Sequence, residues 1–361
     1  MRKCRRFWPT YCRRAFFYHN IPRRISEQRL LAPAITRHCR RQYRPPHGRR
    51  EADLSTRRQC SKAGEYPKFP LMCSTPSPRL PGWLRRPLPL GATYQQTRQL
   101  LAELRLQTVC HHARCPNRSE CYSQKTATFL LLGPVCTRRC RFCSVPKGEV
   151  QPPDPKEPER VAEAARRLGL HHVVLTMVTR DDLADGGAEH LVRTIQAIRA
   201  VIPEATVELL ISDLAGNWQA LEYLLAAEPD VLNHNCETVP RLYPVVRSAK
   251  ADYRRTLELL RRAHRSRPEM PLKTGLMLGL GETIDEILDT LVDLAQAGCT
   301  LLTLGQYLQP SPEQTPVVRY LRPEEFEHLG KLAESLGFRQ VASGPFVRSS
   351  YHAHQMLLAC Q

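Results

Sequence analysis

CHHARCPNRSECYSQKTATFLLLGPVCTRRCRFC, residues 110–143, decides how this chain is read. The stretch holds six of the 14 cysteines, in two triplets. Cys110, Cys115 and Cys121 are spaced C-x4-C-x5-C, and Cys136, Cys140 and Cys143 are spaced C-x3-C-x2-C. Each triplet is one ligand short of the four thiolates that close a structural zinc site or hold an ordinary iron–sulfur cluster. Between them Thr128–Leu132 is a short apolar run with strand character, and the second triplet follows it directly.

Downstream of this run the same rhythm repeats. Strands are expected at His172–Met177, Thr206–Ile211, Val231–Asn235, Lys273–Leu278 and Leu301–Gln306, and helices near 156–168, 187–201, 216–227, 251–266, 283–297 and 322–336. Pro155, Pro203 and Pro323 punctuate the boundaries. Strands too apolar to alternate, each followed by a helix, imply an α/β fold with a parallel sheet covered by helices. Such a sheet is either doubly wound or curled into a full or partial barrel. In both, ligands bind at the carboxyl ends of the strands, where the second triplet falls. Upstream, Tyr94–Leu106 has apolar residues near helical spacing and runs into the first triplet, where Cys115-Pro116-Asn117 implies a loop.

The formal net charge of +18 invites a nucleic-acid partner, and its distribution argues against one. Residues 1–72 carry 19 Lys+Arg against 4 Asp+Glu; the rest carries 34 against 31. The folded body is close to neutral, so a basic stripe of the kind that binds nucleic acid is not supported. Residues 1–72 are a disordered basic tail, an organellar transit peptide, or sequence upstream of a true start at Met72. A chain beginning near Met72 is expected in the cytoplasm, and a transit peptide implies an organelle. Residues 73–95 are Pro-rich and expected to be extended. Clustered cysteines with metal-like spacing favour a reducing compartment, and no run of about 20 apolar residues marks a membrane span.

Tetrahedral zinc suits paired, regular spacings, whereas gaps of three and two suit three corners of a cubane cluster. The fourth iron is then open to a ligand from outside the protein, and Phe142, just before the last cysteine, can pack against it. C-x3-C-x-aromatic-C after a first strand resembles the signature of the radical S-adenosylmethionine enzymes. With C-x4-C-x5-C upstream, the chain resembles the lipoyl synthases. The resemblance runs from about residue 95 to 355 and rests on Ala113–Asn117, Thr126–Phe129, Cys136–Cys143, Arg180–Leu183, Asp185–His190, Asn233–Asn235, Glu237–Val239, Lys273–Gly279, Gly305–Pro310 and Gly344–Tyr351.

The resemblance implies a partial (β/α)6 TIM-like barrel over 126–340. It adds an N-terminal extension over 73–125 with the auxiliary-cluster cysteines, and a C-terminal segment over 341–361. Two four-iron clusters are implied, one on Cys136, Cys140 and Cys143 with S-adenosylmethionine on its open iron. The other sits on Cys110, Cys115 and Cys121, with Ser350 of the R-S-S-Y motif as fourth ligand. From the residues alone, Ser350 instead opens a short helix as its N-cap. Gly186, Gly187 and Glu189 resemble the edge that meets the methionine part of the cofactor, though a plain loop before a helix fits them as well. The implied reaction is radical insertion of two sulfur atoms into protein-bound octanoyl-lysine, with the auxiliary cluster sacrificed. Implied partners are an octanoylated carrier protein, an electron donor such as a ferredoxin or flavodoxin, and cluster-assembly proteins. Two alternatives stand beside this: another radical sulfur transferase with an auxiliary cluster, and a zinc- or cluster-stabilised nucleic-acid-binding protein. Arg348 and Lys273 either pair with carboxylates or have a solvated or structural role. Gly279-Leu280-Gly281-Glu282 is too short a glycine pattern to indicate a nucleotide site. Cys236 and Cys299 read as buried thiols, and Cys4, Cys12, Cys39, Cys60, Cys73 and Cys360 have no metal-like spacing.

Overall fold

The computed structural model describes residues 80–86 and 91–359, and the expectations for 1–72 and for Cys73 and Cys360 lie outside them. Three helices come first: α1 (Ala92–Glu103), α2 (Val109–His112) and α3 (Arg118–Ser123). Then β1 (Thr128–Leu131), α4 (Glu157–Leu168), β2 (His172–Met177), α5 (Ala188–Val201), β3 (Thr206–Leu210), α6 (Trp218–Ala226) and β4 (Val231–Asn233) follow. The chain continues through α7 (Tyr243–Val246), α8 (Tyr253–Ser266), β5 (Leu272–Leu278), α9 (Ile284–Gln296), β6 (Leu301–Gln306), α10 (Pro323–Ser335), β7 (Gln340–Gly344) and α11 (Ala353–Leu358). Local signals set the helix ends. Asp252 caps α8 by accepting from Arg255 N at 2.7 Å, Thr283 and Glu286 form a capping box on α9, and Gly169 stops α4 at φ 69°. Among the described residues no helix is long and apolar enough to cross a membrane.

The strands form one sheet in the order β1 to β7, and every neighbouring pair is parallel. With a helix after each strand, this is a partial barrel of seven strands. Its seventh strand goes beyond the expected six. Gln340-Val341-Ala342-Ser343-Gly344 has only one β-branched residue, and it is a strand because Leu301 to Gly305 of β6 supply a pairing template. The boundary expected at 340/341 falls inside β7.

Alternation divides the strand residues between two faces. Val173, Leu175, Val207, Leu209, Leu302 and Leu304 are fully buried in the core shared with the helices. The opposite face is polar and small, and carries Thr176, Glu208, Asn233, Lys273, Gly275, Thr303 and Gly305. Lys273 finds a carboxylate there. Its Nζ lies 3.0 Å from both oxygens of Glu208, and Asn233 Nδ2 donates to Glu208 Oε1 at 3.0 Å.

The C-terminal segment fills this interior. After β7, Ser349 Oγ accepts from Asn235 Nδ2 at 2.7 Å, just past β4. Further on, Met356 and Leu357 of α11 are buried against Val231 and Leu301, the first residues of β4 and β6. His354 stacks on His172, the first residue of β2, at 5.7 Å and 7°. The segment therefore runs from the carboxyl ends of the strands to their amino ends. α11 begins at Ala353 with His352 at its N-cap position in left-handed geometry, so Ser350 does not open that helix.

Lys273→Met strips Glu208 of its buried counter-charge and should cost on the order of 3–5 kcal/mol, read from denaturant unfolding. Lys273→Met with Glu208→Leu should recover most of that loss. Gly305 is the second test. A methyl placed there meets the Val347 carbonyl, so Gly305→Ala should lift residues 345–351 while the barrel stays folded. Faster amide exchange confined to that segment is the expected result, with a loss of about 1–3 kcal/mol.

Candidate active site

The loop after β1 starts with a forced turn. Leu132 has φ 69° and Gly133 φ 91°, and the Leu132 amide donates to Glu157 Oε2 at 2.9 Å. The loop then closes on itself, with Cys136 N donating to Pro146 O at 2.9 Å and Cys143 N to Cys140 O at 3.3 Å. Arg138 anchors it. This buried guanidinium lies 2.8 Å from Asp181 Oδ1 and 2.6 Å from Asp213 Oδ1, in the loops after β2 and β3. Burial opposes its charge, but the two carboxylates outweigh that and hold its pKa above the ordinary arginine value. Thr137 adds a bond from Oγ1 to Thr179 O at 2.9 Å.

The first triplet sits on a second scaffold. Cys110 lies on α2, Cys121 on α3, and Cys115 in the turn between them after Arg114, whose φ is 50°. Buried Tyr122 joins α1 to this unit: Thr97 Oγ1 donates to Tyr122 O at 2.8 Å, and the Tyr122 hydroxyl meets Thr108 Oγ1 at 2.7 Å. Leu130 N donates to Gln107 O at 2.9 Å, which fixes the unit to β1. Ser144 Oγ donates to His112 O at 2.7 Å and so ties one cysteine loop to the other.

Ser350 arrives from the C-terminal segment, fastened on both sides. Ser349 holds Asn235 of the barrel, and the Tyr351 hydroxyl donates to Glu120 Oε1 at 2.8 Å, next to Cys121. Asn117 Nδ2 donates to Phe346 O at 2.7 Å, and the Arg86 guanidinium pairs with Glu120 and lies 4.1 Å from the Phe346 ring centroid.

All six cysteines and Ser350 line one cavity of about 320 Å³. Its wall also includes Val109, Leu130, Val145, Leu210 and Met277, with Phe142 beside the second triplet. Gly186 lies instead on a neighbouring cavity of about 410 Å³, which shares Thr179 and Ser212 with the first. Gly187 has φ 94° and no room for a methyl against Leu132. Glu189 is exposed, and its amide donates to Asp185 Oδ2 at 2.8 Å.

The cysteines of both triplets are free thiols. Burial first, then neighbouring thiols, pushes Cys110 up to about 11 and Cys121 up to about 12; burial also drives Cys143 up to about 11. Clustered, protonated thiols of this kind fit ligands that ionise when a cluster binds. Two buried atoms on residues that line the cavity, Asn117 Oδ1 and Arg247 Nε, have no partner among the described residues. No three His, Cys, Asp or Glu side chains among the described residues are grouped to hold a single metal ion.

Three wall residues were quoted in the sequence without a role, or not singled out. Burial raises the Cys140 pKa and the charge of Arg247 partly opposes that; Arg247 lies 3.8 Å from Glu237 Oε1. Glu237 has φ 72° and is held there by backbone bonds to Gly275 and Met277, while burial raises its pKa. His234, bonded at 2.9 Å to Ile211 O, is held neutral by burial with a pKa of about 4. An acidic residue at positive φ carries no sequence signature, and Arg247 is an extended residue just after α7.

Known proteins resemble this chain in sequence. A family model described as the radical SAM superfamily matches residues 130–294, and one for the N-terminal domain of lipoyl synthase matches residues 55–115, beginning upstream of Met72. The chain is similar to the lipoyl synthase of Desulfotalea psychrophila, 55% identical over 276 residues, covering 76% of this chain and 92% of that one. It is also similar to the lipoyl synthase of Rhodopirellula baltica, 54% identical over 279 residues and covering 77% and 88% respectively. Among solved structures, the FeFe-hydrogenase maturase HydG from Carboxydothermus hydrogenoformans is similar at a TM-score of 0.47 and 16% identity, covering 74% of this chain and 70% of that one. At more than half identity over nearly the full length of such relatives, with two complementary thiol triplets on one cavity, the chain belongs to the lipoyl synthase family of radical S-adenosylmethionine enzymes.

Proposed function

We propose that this enzyme inserts sulfur at carbons 6 and 8 of an octanoyl group amide-linked to a lysine of a carrier protein. The observation that carries the proposal is the meeting of Cys110, Cys115, Cys121, Cys136, Cys140, Cys143 and Ser350 on one cavity. Cys136, Cys140 and Cys143 would hold one four-iron cluster with S-adenosylmethionine, and Cys110, Cys115, Cys121 and Ser350 an auxiliary one. When bound, these groups supply a 5′-deoxyadenosyl radical for hydrogen abstraction and sulfur for the product.

The chain's own residues place and shield these reactants. Arg138 fixes the loop of the second triplet against the ends of β2 and β3, where a small shift would misalign a radical with its target. Arg247, whose Nε has no partner among the described residues, lines the cavity with Cys140 and suits the carboxylate of the cofactor, and Glu237 suits its hydroxyl or amino groups. Phe142 offers a flat apolar face. Gly186 would meet the methionine end from the adjoining cavity, with Gly187 and Glu189 forming the turn that presents it. The apolar wall of Val109, Leu130, Val145, Leu210 and Met277 suits an alkyl chain.

The reaction calls for an octanoylated carrier protein, a one-electron donor such as a ferredoxin or flavodoxin, and assembly proteins to rebuild the auxiliary cluster. Thiol ligands and sacrificed sulfide suit a reducing compartment such as the cytoplasm.

Anaerobically purified protein should contain about eight irons per chain, with matching sulfide. It should convert an octanoyl-lysine peptide to the lipoyl form, followed by mass. Zinc in place of iron would end the proposal. Cys140→Ala should abolish deoxyadenosine formation, and its persistence would remove Cys140 from the ligand set. Ser350→Ala should still form deoxyadenosine but lose lipoyl product by at least about tenfold, a factor worth 1.4 kcal/mol; unchanged product would remove Ser350 from the auxiliary site.

A further inference from the structure

The two triplets each have an arginine in the cavity wall, and the two arginines are partnered differently. Arg247, at the second triplet, has Glu237 within 3.8 Å and lies 5.6 Å from the Tyr243 ring centroid. Arg348, at the first, has no carboxylate within ion-pair distance among the described residues. Its Nη1 donates to the carbonyls of Val347 and Pro345 at 2.6 and 3.5 Å, and no other bond to its guanidinium is made. Lys273, the other cation singled out in the sequence, sits on two carboxylate oxygens.

A guanidinium in a protein wall is normally paired or solvated. Arg348 is held where it stands: Phe346 is fixed by Asn117, Ser349 by Asn235, and Tyr351 by Glu120. The same stapling sets it on the wall of the cavity that Cys110, Cys115, Cys121 and Ser350 also line. A second cation, Arg86, lies on the same side and repels it. Among the described residues no carboxylate pairs with Arg348, whereas three thiolates and a serine oxygen around a four-iron core would leave a net anion.

We infer that Arg348 is the counter-charge of the auxiliary cluster, stabilising it as an anion and raising its reduction potential. The inference rests on the two-cluster function proposed above. Beyond the ligand role of Ser350, it gives the first residue of the R-S-S-Y motif an electrostatic task.

The test uses the full chain with both clusters loaded. Arg348→Gln and Arg348→Lys are compared with the parent by iron release to a chelator and by redox titration, with the two clusters told apart by whether their signal responds to S-adenosylmethionine. In Arg348→Gln the unresponsive signal should move to lower potential and lose its iron on the order of tenfold faster. The responsive signal should stay in place, and Arg348→Lys should restore most of both effects. Failure of Arg348→Gln alone to load the auxiliary site would also support the inference, because the lysine variant keeps the charge. Unchanged behaviour in Arg348→Gln, or equal damage in both variants, would overturn it. Four irons in the parent would instead strike the two-cluster function itself.

Discussion

A sheet of seven parallel strands in simple order leaves β1 and β7 without each other. That open side is the constraint from which the rest of the architecture follows. Unpaired strand edges and a polar barrel interior have to be covered. On the β1 side, Gln107 and Thr108 bond to Leu130 and bridge to Phe129. On the β7 side, the chain folds back through the interior along residues 345–358. The two covering segments then meet, through Asn117 with Phe346 and Glu120 with Tyr351. The first cysteine triplet and Ser350 lie at that meeting point, so covering the gap also brings them onto one cavity.

Inside the barrel, buried charge does the positioning. Arg138 between Asp181 and Asp213 holds one cysteine loop, while Lys273 on Glu208 ties β5 to β3 lower down. Buried pairs of this kind add little net stability compared with apolar packing, and breaking one is costly. Their value here is geometric. Three loop residues separate Cys136 from Cys140, and the loop has no regular structure of its own. A bidentate guanidinium fixes both direction and distance, which an apolar contact would not.

Much of this was legible in the sequence. Six strands and the helices between them followed from apolar runs and proline punctuation, and their ends moved by two residues or fewer. The missing fourth ligand of each triplet suggested two incomplete metal sites, and the structure brings both triplets onto one cavity. β7 was not legible, because Gln340–Gly344 has the composition of a loop and pairs only through its register with β6. The N-cap alternative for Ser350 was reasonable locally and fails for a tertiary reason. Ser349 and Tyr351 are pulled in two directions by Asn235 and Glu120, so the helix cannot start until Ala353. Arg138, Glu237 and Arg247 were missed because their roles lie in pairings across separate strand ends.

The two ends of the folded region are therefore unequal partners in one site. Gln107 and Thr108, just before the first triplet, are anchored to β1 by backbone bonds, and buried Tyr122 ties the triplet's helices to Thr97 and Thr108. Residues 345–351 are held by side chains alone at Asn235, Glu120 and Asn117. Side-chain bonds of this kind contribute about 1 kcal/mol each and open independently of the sheet. Residues 345–351 are thus the easier side of the cavity to release, while the helices of the first triplet stay fixed. The order of the chain supplies that asymmetry: a rigid wall from before the barrel, a releasable one from after it.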